Sequence, residues 1–131
     1  MNDTGYIVFA HGSRLESAND AVREVTRKMA AQGQFTAVET AFLELGKPDL
    51  SDAVEALLGK GTTQIVVMPY FLTTGMHLTR DLPQLVEAVL ARHPDLRIQV
   101  TPPLDGHPAM VDVLIGRARE ADEKRHAGQT A

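Results

Sequence analysis

A chain of 131 residues is long enough to bury one core without staples and has the length of a single domain. Its 44% hydrophobic content lies outside the disordered range, and the absence of cysteine removes disulfides, thiolate metal sites and thiol catalysis together. A net charge of −4, scattered basic residues, no tryptophan and 5% aromatic residues leave neither a duplex-binding patch nor stacking platforms, so no nucleic-acid partner is expected.

The opening residues, Met1 to Gly5, are polar and carry no basic region or long apolar stretch behind them. No later run approaches the length needed to span a bilayer. The expectation is a soluble cytoplasmic protein without a membrane partner.

In chain order, Tyr6 to Ala10 reads as a buried strand. Ala18, Val22, Val25 and Met29 then recur at helical spacing, and Gly33 closes that helix. Thr36 to Phe42 is the second strand. The second helix starts near Leu50 with Asp49 as N-cap, turns Leu50, Ala53, Val54, Leu57 and Leu58 inward, and ends at Gly59 and Gly61. Gln64 to Met68 is the third strand.

The third helix is expected to begin at a cap on Asp81, with Pro83 in its first turn and Leu82, Leu85, Val86, Val89 and Leu90 on its apolar face. Pro94 ends it. A short fourth strand, Leu96 to Val100, leads to a final helix from about Pro108, whose buried stripe would be Met110, Val111, Leu114 and Ala118. Glu120 to Ala131 is polar and is expected to fray. This alternation predicts an α/β fold: one domain over residues 1–131, ordered from about 5 to 120. It would hold a small open parallel sheet of about four strands with helices on both faces.

Two histidines and a carboxylate stand at matching places in that scheme. His11 follows the first strand, Glu44 the second, and His77 lies in the long segment from Pro69 to Arg80 that leaves the third. In one parallel sheet they share the rim where open α/β sheets bind ligands. Alone, each has a bland reading: a loop histidine satisfying a carbonyl, or a solvated carboxylate. Together, two imidazoles and a carboxylate suit a divalent transition metal. Arg14, Lys47 and Arg80 flank the rim, and three cations around one cleft suit a polycarboxylate. His107 and His93 fit structural places at helix ends, and His126 falls in the tail.

Missing motifs narrow the chemistry further. No Gly-x-x-x-x-Gly-Lys-Ser/Thr and no Gly-x-Gly-x-x-Gly follows the first strand, so neither ATP nor a dinucleotide is expected. Gly12-Ser13 is not a nucleophile elbow. Ala10 stands where histidine phosphatases carry an arginine before their histidine, which argues against phosphoryl transfer.

Val8 to Arg14, Ala41 to Glu44 with Pro48-Asp49-Leu50, and Val67 to Leu72 running to Gly75-Met76-His77 follow one another in an order that resembles the class II tetrapyrrole chelatases. Asp81-Leu82-Pro83 and the Pro103-Leu104 to His107-Pro108 turn match as well, so the likeness covers roughly Gly5 to Ala118. It closely resembles the short sirohydrochlorin cobalt chelatases of cobalamin biosynthesis, without the histidine-rich tail some of them carry.

The resemblance implies that His11 and His77 bind the incoming metal and accept protons while Glu44 assists as ligand, base or orienting partner. The metal, Co²⁺ or else Fe²⁺ or Ni²⁺, is then a substrate, and no cofactor is required. It also implies a homodimer with the macrocycle in a cleft between subunits. The Tyr70-Phe71-Leu72 loop with Thr73, Gly75 and Met76 would flank the macrocycle, and Ser13, Arg14, Lys47 and Arg80 would meet its carboxylates. The rival of another class is a carrier that holds tetrapyrrole or metal without inserting it.

Overall fold

Alternating apolar runs place four parallel strands side by side in the order β2-β1-β3-β4. In sequence they are β1 (Thr4–Ala10), β2 (Val38–Phe42), β3 (Gln64–Pro69) and β4 (Arg97–Val100), interleaved with α1 (Glu16–Gly33), α2 (Leu50–Leu58), α3 (Met76–Arg92) and α4 (Ala109–His126). The computed structural model describes residues 3–128, with His77 described in its backbone alone. The four-stranded parallel α/β sheet is the one the sequence pattern leads to.

Side chains alternate across a strand, so the register divides the sheet into two faces. Ile7, Phe9, Ala41, Ile65 and Val67 line one face and pack with Leu50, Ala53, Val54 and Leu57 of α2 and Leu78, Leu82 and Val89 of α3. Burying each large side chain of this set contributes about 1.5–3 kcal/mol. On the other face α1 lies along β1 and β2. There Tyr6 meets the Phe35 ring at 4.7 Å, and Thr40 donates to Thr26 at 2.8 Å.

Four local expectations are corrected. The side of α1 turned to the sheet buries Asn19 and Thr26, while Ala18 and Val25 are exposed. Polar groups can face inward here because each finds a partner: Thr26 donates to the Val22 carbonyl and accepts from Thr40. The helix does close at Gly33, as its spacing predicts, and Gln34 takes the left-handed turn at φ 58°.

α3 starts at Met76, not at Asp81, so Asp81 and Pro83 both lie inside it. The buried stripe extends upstream through Leu78, one turn before Leu82, and that burial outweighs the donor Pro83 lacks. His77 therefore lies in the first turn of α3, and the loop after β3 shortens to Tyr70–Gly75.

α4 buries none of its residues: Val111 and Leu114 are 60% and 70% exposed, and Ala118 is exposed as well. The helix also continues through the expected frayed tail to His126. Residues 129–131 of that tail lie outside the described residues.

Candidate functional site

The sheet order sends the chain from β1 to one side and from β3 to the other, so β1 and β3 border the switch point at the carboxyl rim. His11 stands directly beyond β1, with Glu44 two residues past β2. The ladder between these strands continues beyond them, Leu43 N–H to the Ala10 carbonyl at 2.9 Å and Glu44 N–H to the His11 carbonyl at 3.0 Å. Backbone pairing thus brings the two side chains together.

His11 Nε2 lies 3.4 Å from Glu44 Oε1, both side chains more than half exposed. His11 Nδ1 is 3.1 Å from the Gly12 carbonyl, which can only accept, so the tautomer protonated at Nδ1 is the one that makes this bond. In the neutral ring the Nε2 lone pair is then free and faces the carboxylate. Two donors, each about 2.1 Å from one tetrahedral metal, sit about 3.4 Å apart, the separation found here.

Gly12 has φ 94°, and a Cβ there would overlap the Glu44 carbonyl oxygen. Only glycine lets the chain turn this close to its neighbour. The loop after it is held by Asn19, 1% exposed. The Asn19 side chain accepts from Ser13 N–H at 2.9 Å and donates to the Ser13 carbonyl at 2.9 Å and the Leu45 carbonyl at 3.1 Å. One buried amide thus ties the loop after β1 to the loop after β2.

A second tie runs through Arg23. It donates to the Lys47 carbonyl at 2.9 Å, pairs with Glu16 and Asp20, and lies 5.1 Å over the Phe42 ring. The Arg23 guanidinium, helped by Asn19, holds the Glu16 carboxyl below its ordinary value.

The opposite side of the rim is apolar. Tyr70 N–H donates to the Phe9 carbonyl at 2.7 Å, and the Phe71 ring packs 6.3 Å from Phe9. Leu72 and Met76 are 64% and 90% exposed. The Leu104 and Asp105 N–H groups bond the Phe71 and Leu72 carbonyls at 2.9 and 2.8 Å, joining this loop to the one after β4. Alongside opens a groove of about 430 Å³ between α3 and β4, lined by Pro69, Leu78, Leu82, Val86, Val100 and Pro103.

The structure therefore brings His11 and Glu44 into direct contact and sets Ser13 in the Asn19 clamp. Arg14, Lys47, Thr73, Gly75 and Arg80 are exposed around this end of the sheet, with Arg80 Nε 3.8 Å from Asp81. His77 enters by its backbone position alone. Among the described residues no group of three histidine or acidic side chains converges to hold a metal ion. His107 Nδ1 accepts from Ala109 N–H at the start of α4, and His93 pairs with Glu55 at 2.9 Å, both structural places. His126 lies in the last turn of α4.

Sequence reasoning missed Asn19, Arg23 and the α3–β4 groove. Asn19 reads as one more polar residue of α1, because its partner Leu45 is 26 positions away.

Comparison with known proteins agrees with this architecture. The sirohydrochlorin cobaltochelatase of Saccharolobus solfataricus is 30% identical over 128 residues, which cover 93% of this chain and 98% of that protein. The sirohydrochlorin ferrochelatase of Priestia megaterium is 28% identical over 116 residues, 88% of this chain and 44% of that protein. The chain thus spans about half the length of the ferrochelatases it matches. Among solved structures, the CbiX protein of Marinobacter aquaeolei VT8 superposes with a TM-score of 0.82 at 26% identity, over 92% of this chain and 98% of that one. The CbiX family model matches residues 5–121, nearly the whole chain, and the protein is a member of the CbiX family.

Proposed function

We propose that the protein is a sirohydrochlorin chelatase that inserts a divalent metal, cobalt first, into the macrocycle without nucleotide or cofactor. The observation that carries this reading is the His11–Glu44 pair, spaced for one metal and opening on the rim beside exposed apolar side chains. The full-length likeness to a cobaltochelatase favours cobalt, and the ferrochelatase likeness keeps iron as the alternative. Nickel stays open because imidazole and carboxylate ligands do not rank these metals by themselves.

In this mechanism His11 Nε2 and Glu44 take the metal from water and His77, in the first turn of α3, adds a further imidazole. Insertion forms metal–nitrogen bonds and releases two pyrrole protons. The proton from each nitrogen passes to the imidazole or carboxylate that the departing metal frees, and from there to solvent. Tyr70, Phe71, Leu72 and Met76 offer the macrocycle an apolar wall, with Thr73 and Gly75 in the same loop. Ser13, Arg14, Lys47 and Arg80 meet its carboxylates.

A four-stranded sheet offers one wall to a macrocycle, so we place the working form as a homodimer in the cytoplasm, with a second copy supplying the other wall. The test is anaerobic mixing of purified protein, sirohydrochlorin and Co²⁺, followed by visible absorption. Metallation faster than in the protein-free control supports a chelatase, and repeats with Fe²⁺ and Ni²⁺ rank the metals. A rate equal to the control with every metal, alongside stoichiometric macrocycle binding, replaces the enzyme with a carrier.

A further inference from the structure

Two histidines beyond the carboxyl ends of strands, His11 and His107, are held by backbone contacts that favour opposite tautomers. For His11 the Gly12 carbonyl favours a proton on Nδ1 and leaves a lone pair on Nε2. For His107 the order is reversed. Its Nδ1 accepts from the Ala109 N–H at 3.1 Å, which needs a lone pair there, so the neutral ring carries its proton on Nε2. A protonated ring nitrogen cannot ligate a metal; it can donate to an acceptor. The cap on α4 therefore uses one nitrogen of His107 and leaves the other as a donor.

The loop that carries this donor belongs to the apolar side of the rim. It leaves β4 bonded to the chain of β3 and the loop beyond it. Thr101 N–H meets the Val67 carbonyl, Leu104 N–H the Phe71 carbonyl and Asp105 N–H the Leu72 carbonyl, at 2.8–3.0 Å. His107 N–H then closes on the Leu104 carbonyl at 3.1 Å, in a turn where Gly106 takes φ 85°. His107 thus stands two residues past a position bonded to Leu72, no more than about 7 Å of chain away. Its side chain is exposed, and Nε2 has no partner among the described residues.

The cations of the rim are unevenly placed. Arg14 and Lys47 follow β1 and β2, and Arg80 lies in α3. From Thr101 to Pro108 the loop after β4 has no lysine or arginine, and its one charged side chain is that of Asp105. The Thr101 hydroxyl donates to the Pro102 carbonyl at 3.0 Å. That leaves the His107 Nε2–H as the side-chain donor this loop can offer a ligand. β3 separates β1 from β4, so the two outer strands are about 10 Å apart. A flat ring held at His11 and lying across Leu72 brings its far edge to the loop after β4.

We infer that His107 is a specificity-determining residue, its Nε2–H donating to a carboxylate on the macrocycle edge farthest from Arg14 and Lys47. This rests on the chelatase reading and adds to it the way the macrocycle is oriented on the rim. A hydrogen bond to a charged acceptor is stronger than one between neutral groups, so a single N–H can favour an acid at that edge.

Two substitutions separate the two nitrogens. In His107→Asn the amide oxygen takes the place of Nδ1 and can cap Ala109, but nothing replaces Nε2. In His107→Gln the longer side chain returns an N–H near the Nε2 position and gives up the cap. With sirohydrochlorin and Co²⁺, His107→Asn is expected to raise the KM for macrocycle about 3–10-fold and to change kcat by less than about twofold. His107→Gln is expected to keep the KM within about twofold of wild type and to lose helical circular dichroism at the uncapped start of α4.

An unchanged KM in His107→Asn would reduce His107 to a cap and overturn the inference. An equal rise in both variants would overturn it too, because the loop and not the donor would then be responsible. X-ray absorption of the Co²⁺-loaded protein before macrocycle is added gives a second readout. The shell should be the same in His107→Asn as in wild type, and a lost imidazole would make His107 a metal ligand instead. Failure of the chelatase reading looks different: the wild type itself would metallate no faster than the protein-free control.

Discussion

Where β1 and β2 reach the rim, one buried amide, Asn19, holds both outgoing loops, and Gly12 lets His11 approach Glu44. Where β3 and β4 reach it, two backbone bonds join the loops and the side chains left over are exposed and apolar, Leu72 and Met76 above all. The difference suits the roles proposed for the two sides. Metal donors need separations held to within a few tenths of an ångström, which buried and fully bonded polar groups supply. A flat macrocycle needs area and accommodation, which long apolar side chains supply.

The first way to break this contrast is to remove a donor. His11→Ala is expected to lower the metallation rate by about 10²–10⁴-fold while leaving the fold intact, since the side chain is half exposed. Stopped-flow absorption measures the rate, and a loss below threefold would move the metal site elsewhere.

Next in size is the clamp. Asn19→Ala is expected to cost about 1–3 kcal/mol in urea unfolding, because the Leu45 carbonyl and Ser13 N–H lose their buried partner. It should also lower kcat about 10–100-fold with little change in the KM for macrocycle. A stability loss with kcat unchanged would reduce Asn19 to a structural residue.

How legible these two sides were in the sequence differs in the same sense. Short apolar runs and helical spacing are local, so the four strands, the α2 face and the Asp49 cap could be read directly, and the cap accepts from Asp52 N–H at 2.8 Å. His11 and Glu44 were readable because strand ends in a parallel sheet share a rim. Asn19 was not, since its bonds cross from one loop to another.

The start of α3 was misread for a different reason: Asp81 and Pro83 imitate an N-terminus, and only burial of Leu78 reveals the extra turn. The stripe on α4 was a correct apolar pattern given the wrong destination. Sequence periodicity says that a face is apolar, not which surface covers it.

On the apolar side, Leu72→Ser should raise the KM for macrocycle several-fold and leave kcat within a factor of two. Equal falls in kcat and kcat/KM would instead make the loop part of the insertion step.

The smallest effect is a pH dependence in the second tie. Because the folded carboxyl of Glu16 titrates below its usual value of 4.5, its contribution is present above that pH and fades as pH falls through the lower folded value. Glu16→Gln should therefore lose a small increment of stability at neutral pH and none well below pH 4, measured by thermal melts across that range. A deficit that persists at the acid end would mean that the pairing of Glu16 with Arg23 is not its source.

The most direct measurement is X-ray absorption of the protein loaded with one Co²⁺ per chain, before macrocycle is added. The account predicts imidazole nitrogen and carboxylate oxygen around cobalt, with the imidazole signal reduced in His11→Ala and the whole shell replaced by four macrocycle nitrogens once sirohydrochlorin enters. A cobalt shell that His11→Ala leaves unchanged would contradict it.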